Sequence, residues 1–224
     1  MSVWAVLAAA GRGERLGSDR PKAFARLRGR PLLAESLERL ENSDWIERIV
    51  IAAPPDWEEP SILVAEEIAA TKVNSAVTGG ASRSESVRLA LVDVPEDAAV
   101  ILVHDAARPL LPEEVIERVL APLSEGWDAV VPALALADTV KRVEAERVVE
   151  TVAREDLVAV QTPQAFLADV LRRAVKGDVS SATDCASLVE TQGGRVKWVE
   201  GDPRLRKVTS ADDLALVESW LGEE

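Results

Sequence analysis

The chain has 224 residues, 47% hydrophobic and 29% charged, with a formal net charge of −13. That length suits one domain with a sizeable core, and the acidic balance argues against a general nucleic-acid or anionic-membrane binder. Apolar runs of about eight residues are too short to span a bilayer; a lone Cys185 permits no intrachain disulfide, and a lone His104 permits no histidine cluster for zinc.

The opening run, Val3 to Ala10, has the length of one buried strand. No basic stretch precedes it, so a signal peptide is not expected and a cytoplasmic setting is. The run gives way to Gly11-Arg12-Gly13-Glu14-Arg15, then Pro21-Lys22. Glycines let a ligand approach backbone N–H groups closely, and such groups can cradle an anion. Residues 11–30 carry seven basic and two acidic side chains, a local reversal of sign in an acidic chain. A field of that kind suits a multiply charged anion. The stretch is not a P-loop, because it contains no Gly-Lys pair. It is not a dinucleotide fingerprint either: Leu16 stands at the third glycine position, and Pro21 disfavours helix at Arg20. Taken alone, a Gly-rich turn with solvated arginines remains the competing explanation.

Helical spacing predicts a helix over Pro31–Leu40, followed by a short apolar strand at Arg48–Ala53. A helix at Ser61–Lys72, a weak strand at Asn74–Thr78 ending in Gly79-Gly80, and a helix at Ser82–Val92 come next. Ala99–Val103 reads as a buried strand, Pro112–Leu123 as a helix and Asp128–Leu134 as a strand. Alternating strands and helices, with strands that read as continuous apolar runs, imply an α/β fold: a mostly parallel sheet with helices on both faces. Ligands bind such sheets outside the carboxyl ends of the strands. The segments Ala8–Gly13, Gly79–Gly80 and His104–Arg108 all fall there. The pattern breaks at about 138–158, where Thr139–Val143 and Arg147–Val152 flank a polar turn like a two-stranded ribbon. A lone ribbon is marginal in water, so it is expected to pack on a second copy. Helices are expected near Phe166–Val175 and Ala182–Gln192. Strands are expected at Arg195–Glu200 and Leu205–Val208, and a last helix at Ala211–Leu221 capped by Ser210. No repeat or linker divides the chain, so 1–224 reads as a single domain.

Ala9-Ala10-Gly11-Arg12-Gly13-Glu14-Arg15 with Pro21-Lys22 resembles the signature loop of sugar-nucleotide and alditol-phosphate nucleotidyltransferases. More specific are Val103-His104-Asp105-Ala106-Ala107-Arg108-Pro109, Asp138-Thr139-Val140-Lys141-Arg142, Thr162-Pro163-Gln164 and Lys207-Val208-Thr209. Together, over essentially the whole chain, they resemble the 2-C-methyl-D-erythritol 4-phosphate cytidylyltransferases of the non-mevalonate isoprenoid pathway. The resemblance implies a Rossmann-like nucleotidyltransferase domain with an extended β-arm for dimerisation. It implies transfer of a cytidylyl group from CTP to methylerythritol phosphate, with release of pyrophosphate. By the same resemblance Arg15 and Lys22 stabilise the transition state, and Arg154 and Lys207 position the attacking phosphate. CTP is expected at Ala9, Ala10, Gly11, Gly13, Gly80, Ser86, Asp105 and Ala106. Methylerythritol phosphate is expected at Asp105, Arg108, Thr139, Arg154, Thr162 and Lys207. Mg²⁺ is expected to be held mainly by the CTP phosphates, with Asp105 as a candidate ligand. The sequence departs from the family pattern at Ala81 and at Arg204-Leu205-Arg206. Ribitol-5-phosphate cytidylyltransferase, which shares the loop, is the nearest alternative. A noncatalytic nucleotide-binding protein is a remoter one, against which the pairing of Arg15 with Lys22 argues.

Overall fold

The computed structural model describes residues 2–13, 16, 20–180 and 182–221. Its strands are β1 (Val3–Ala8), β2 (Arg26–Leu27), β3 (Arg30–Pro31), β4 (Arg48–Ala53), β5 (Val73–Thr78), β6 (Val100–Asp105), β7 (Ala129–Ala135), β8 (Val140–Glu144), β9 (Arg147–Val152), β10 (Val158–Val160), β11 (Gln164–Leu167) and β12 (Val196–Glu200). Its α-helices are α1 (Leu32–Glu41), α2 (Glu58–Glu67), α3 (Arg83–Ala90), α4 (Glu113–Leu120), α5 (Ala168–Ala174), α6 (Cys185–Thr191) and α7 (Ala211–Trp220).

Eight strands form one sheet in the order β10-β7-β11-β6-β1-β4-β5, with β12 also paired to β7. The pairs β5–β4, β4–β1, β1–β6 and β7–β12 are parallel; β11 runs antiparallel to both β6 and β7. The alternation of side chains in β1 explains the layers. Val3, Ala5 and Leu7 enter the core under α1, α2 and α4, while Trp4 and Val6 enter the core under α3, α5 and α6. Leu7 and Val6 are both fully buried, and each contributes roughly 1.5–3 kcal/mol relative to exposure. The middle of a sheet sandwiched in this way has no polar face, which is why β1, β4 and the start of β6 read as apolar runs. The last helix, α7, lies over Leu27, Leu32 and Val208. Its start is a full capping box between Ser210 and Asp213. Among the described residues no helix is long and apolar enough to cross a membrane.

Three expectations need correcting. Gln164–Leu167 is a strand, so the helix expected from Phe166 starts only at Ala168. Phe166 fits both periods, and its pairing with Ile101 and Ala129 across two neighbours decides for strand. Leu205–Val208 is not a strand. Pro203–Leu205 forms a 3₁₀ turn, and Val208 N–H donates to a carbonyl outside the sheet, that of Ala107. The helix expected at Ser61–Lys72 lies earlier, at Glu58–Glu67; Ala69 has φ +54°, which ends it.

The ribbon β8–β9 is a separate two-stranded sheet. Arg142 and Glu150 pair across it at 2.6 Å. Val143 and Val148 face each other in register and are 59% and 56% exposed.

Candidate active site

β1 ends at Ala8 and β6 at Asp105, and these two residues are partners in register. The sheet grows to one side of β1 through β4 and β5, and to the other through β6. That is the switch point at which open α/β sheets bind ligands. A cleft of about 1290 Å³ opens there. Ala9, Ala10 and Gly11 line it from the end of β1, Lys22 from the returning loop, Gly80 and Ser86 from the β5–α3 turn, and Asp105, Ala106 and Lys207 from the far side. Gly79 must be glycine here: a Cβ would collide with the Ala10 methyl and stand 3.0 Å from the Ala53 carbonyl. The β5–α3 turn is thus laid directly on the loop after β1. Gly13, with φ +74°, lies outside the cleft lining but against the Lys22 stem, where a Cβ would come within 2.8 Å of the Lys22 Cβ. Lys22 N–H donates to the Gly11 carbonyl at 3.2 Å, which closes the loop. Ser86 is buried; its hydroxyl donates to the Ser82 carbonyl at 2.8 Å and accepts from Gly80 N–H at 3.0 Å. It therefore pins the turn and keeps one lone pair for another donor. Arg15 lies outside the described residues.

Asp105 is the electrostatic centre. Oδ1 accepts from Arg83 Nε at 2.7 Å, Oδ2 accepts from Lys207 Nζ at 2.8 Å, and Arg108 Nε stands 4.0 Å from Oδ2. Burial alone would raise the Asp105 carboxyl, but the charges of Arg83 and Lys207 outweigh it and hold the group far below the ordinary carboxylate range. Three cations around one carboxylate leave a net positive pocket. A second cavity of about 250 Å³ is lined by Arg108, Thr162 and Gln164, and it shares Arg83, Asp105 and Lys207 with the larger cleft. Two compartments thus meet at one charge cluster, an arrangement suited to bringing two anionic substrates together.

His104 is fully buried behind this cluster. Its Nε2 lies 3.0 Å from the Arg108 carbonyl, which can only accept, so Nε2 carries the proton. Nδ1 then accepts from the Thr162 hydroxyl at 3.1 Å, and Thr162 Oγ1 accepts from Asp105 N–H at 3.1 Å. The relay holds Asp105, Thr162 and Arg108 as a unit and needs a neutral ring. Burial, with the nearby positive charges of Arg108 and Arg83, pushes the His104 pKa down to about 4. In the unfolded chain a histidine binds its proton below about 6.5. Stability is therefore complete above that pH and falls as acid protonates the unfolded state first. Because His104 is the single histidine, the folded state should lose about 2 kcal/mol between pH 7.5 and pH 5. Urea melts at the two pH values measure it, and equal midpoints would contradict the neutral relay.

Thr139 and Arg154 do not join the rest. Both are exposed at the base of the ribbon and line neither cavity; Arg154 Nη1 donates to the Ala137 carbonyl in the connection between β7 and β8. Arg83 lies in none of the family motifs, yet it lines both cavities and holds Asp105. One signal was present. Ser82 caps α3, which puts Arg83 at the first helical position, where the helix dipole disfavours a cation. A base placed there needs a carboxylate partner.

Among the described residues no group of three or more His, Cys, Asp or Glu side chains could hold a metal ion. Among the described residues, Asp105 is the carboxylate that lines both cavities. Both of its oxygens are engaged by Arg83 and Lys207, so the residues present fit Mg²⁺ only where substrate phosphates and water supply most of its shell, as they commonly do.

The family model described as 2-C-methyl-D-erythritol 4-phosphate cytidylyltransferase matches residues 3–223. A protein of that name from Saccharopolyspora erythraea is 47% identical over 225 residues, covering 99% of this chain and 100% of its own length. One from Frankia casuarinae is 46% identical, covering 98% of this chain and 81% of its own. The crystal structure of the enzyme of that name from Thermus thermophilus superposes with a TM-score of 0.78 at 33% identity, over 97% of this chain and 98% of that one. The chain belongs to the 2-C-methyl-D-erythritol 4-phosphate cytidylyltransferase family.

Proposed function

We propose that the chain transfers the cytidylyl group of CTP to 2-C-methyl-D-erythritol 4-phosphate, giving 4-diphosphocytidyl-2-C-methyl-D-erythritol and pyrophosphate. The observation that carries this reading is the junction of two cavities at Asp105, Arg83 and Lys207. CTP occupies the larger cleft, with its base over the Ala9–Ala10 backbone, Gly80 and Ser86. Its triphosphate runs along Gly11 toward Lys22. The acceptor phosphate enters from the smaller cavity between Arg108, Thr162 and Lys207. That phosphate is mostly dianionic near neutral pH, so it is already a nucleophile and needs no general base. One of its oxygens forms a bond to the α-phosphorus as the bond to the pyrophosphate oxygen breaks, and pyrophosphate carries the electron pair away. The protein's task is in-line positioning and neutralisation of the growing charge. Lys22 supplies fixed positive charge on the leaving side, the family resemblance gives Arg15 the same task, and Lys207 holds the attacking group. Mg²⁺, when bound at the CTP phosphates and Asp105, would neutralise phosphate charge.

The ribbon supports a homodimer. A two-stranded hairpin is marginal alone in water, and this one leaves its facing valine pair exposed, while Thr139 and Arg154 at its base line neither of the two cavities that meet at Asp105. In a symmetric dimer they would reach the acceptor cavity of the other copy. Sedimentation at micromolar concentration should show a dimer; a monomer that turns over normally would contradict this. The reaction itself is tested by phosphorus NMR of CTP with methylerythritol phosphate. Diphosphate-ester resonances should grow as pyrophosphate appears, and release of pyrophosphate without the ester would overturn the transfer.

A further inference from the structure

The smaller cavity holds a pattern that the motifs do not account for. Among the described residues, five buried side-chain polar atoms have no hydrogen-bond partner: Arg83 Nη2, Ser84 Oγ, Arg108 Nε, Gln164 Oε1 and Arg172 Nε. Three of the five belong to residues that line this one cavity of about 250 Å³. Buried polar groups are nearly always satisfied, so a cluster of orphans marks a place where a ligand supplies the partners. The other edges of these side chains are already committed. Arg83 donates Nε to Asp105 at 2.7 Å and Nη1 to Cys185 Sγ at 3.7 Å, which leaves Nη2 over. Gln164 Nε2 donates to Asp184 Oδ2 at 2.7 Å. A carboxylate can only accept, so the amide orientation is fixed and Oε1 is the end left over. Asp184 is held in turn by capping α6 through Ser187 N–H at 3.0 Å. Both side chains are therefore rigid before any ligand arrives, which is what a selective site requires.

We propose that Arg83 and Gln164 bind the acceptor: Arg83 Nη2 donates to a phosphate or hydroxyl oxygen, and Gln164 Oε1 accepts from a hydroxyl. A ligand with an anionic end and several hydroxyls, a phosphorylated polyol, satisfies both at once. This rests on the transferase reading above and adds two specificity residues to it. A site that hydrogen-bonds a substrate hydroxyl rejects analogues lacking it, because its own buried group is then left unpaired.

The variant Arg83→Lys separates this role from a structural one. A lysine keeps the positive charge beside Asp105 but has no second amino group to give. Relative to the wild type, Arg83→Lys should raise KM for methylerythritol phosphate at least tenfold and by a clearly larger factor than it raises KM for CTP, whose cleft Arg83 also lines. Gln164→Leu should do the same and should also narrow the preference over a deoxygenated acceptor. Unchanged acceptor KM in both variants would overturn the proposal, as would equal losses for CTP and acceptor. Should a variant fail to fold, a crystal structure of the wild type with acceptor and a non-reacting CTP analogue decides. Arg83 Nη2 and Gln164 Oε1 should each lie within hydrogen-bond distance of the acceptor, and separations beyond about 4 Å would overturn the assignment. Wild-type turnover is recorded in the same series, so a chain inactive on this acceptor would count against the transferase reading and be recognised as such.

Discussion

Asp105→Asn should lower both stability and turnover by large amounts. The substitution keeps the shape of the side chain and removes the charge on which Arg83 and Lys207 converge at 2.7 and 2.8 Å. Lys207 is 41% exposed along its side chain and can turn to water, whereas Arg83 is 18% exposed and cannot. Removing one partner of a buried ion pair leaves an uncompensated charge and costs about 3–5 kcal/mol. The partial exposure of the cluster argues for the lower end, a fall in Tm on the order of 10 °C. Turnover should fall about 100-fold or more, because three cations that position phosphates lose their common anchor. The pH dependence gives a second handle. Asp105 has its carboxyl depressed in the folded state, so its contribution is present above the unfolded value near 4 and is lost as pH falls below it. The gap in urea midpoint between wild type and Asp105→Asn should therefore be wide at pH 7 and narrower at pH 3. Equal midpoints at pH 7 with normal turnover would remove Asp105 from its central place.

Lys22→Ala should separate catalysis from folding. The contacts that close the loop are made by the Lys22 backbone N–H and the stem carbons against Gly13, and alanine keeps both the N–H and the Cβ. The variant should still fold and still bind CTP. Loss of one fixed donor from a developing oxyanion costs about 2.7–4 kcal/mol of barrier, so kcat should fall about 10²–10³-fold. Wild-type turnover in this variant would move the transition-state charge elsewhere along the loop.

The parts of this site that were legible in the sequence are those written in consecutive residues. The segments Ala8–Gly13 and His104–Arg108 could be placed at strand carboxyl ends because β1 and β6 open as apolar runs, and Gly79–Gly80 because the glycine pair punctuates the weaker β5. The register of Ala8 with Asp105 then puts two of them side by side. What could not be read depends on contacts between distant residues. The four-residue strand β11 carries too short a pattern to tell it from the helix that follows, and two neighbouring strands decide its state. Leu205 and Val208 are fully buried and so mimic a strand, yet they belong to a turn that carries Lys207 to Asp105. Arg83 escaped because its partner is 22 residues away in the chain. Thr139 lies in a family motif and Arg154 has a role implied by the resemblance, but both lie outside the two cavities that meet at Asp105, which fits roles that need a second copy.

The most direct test of the whole account is Mg²⁺-dependent pyrophosphate release from CTP, measured with methylerythritol phosphate and ribitol 5-phosphate side by side. Rapid release with methylerythritol phosphate and little with ribitol 5-phosphate is the predicted result. Release with ribitol 5-phosphate alone, or with neither acceptor, would contradict it.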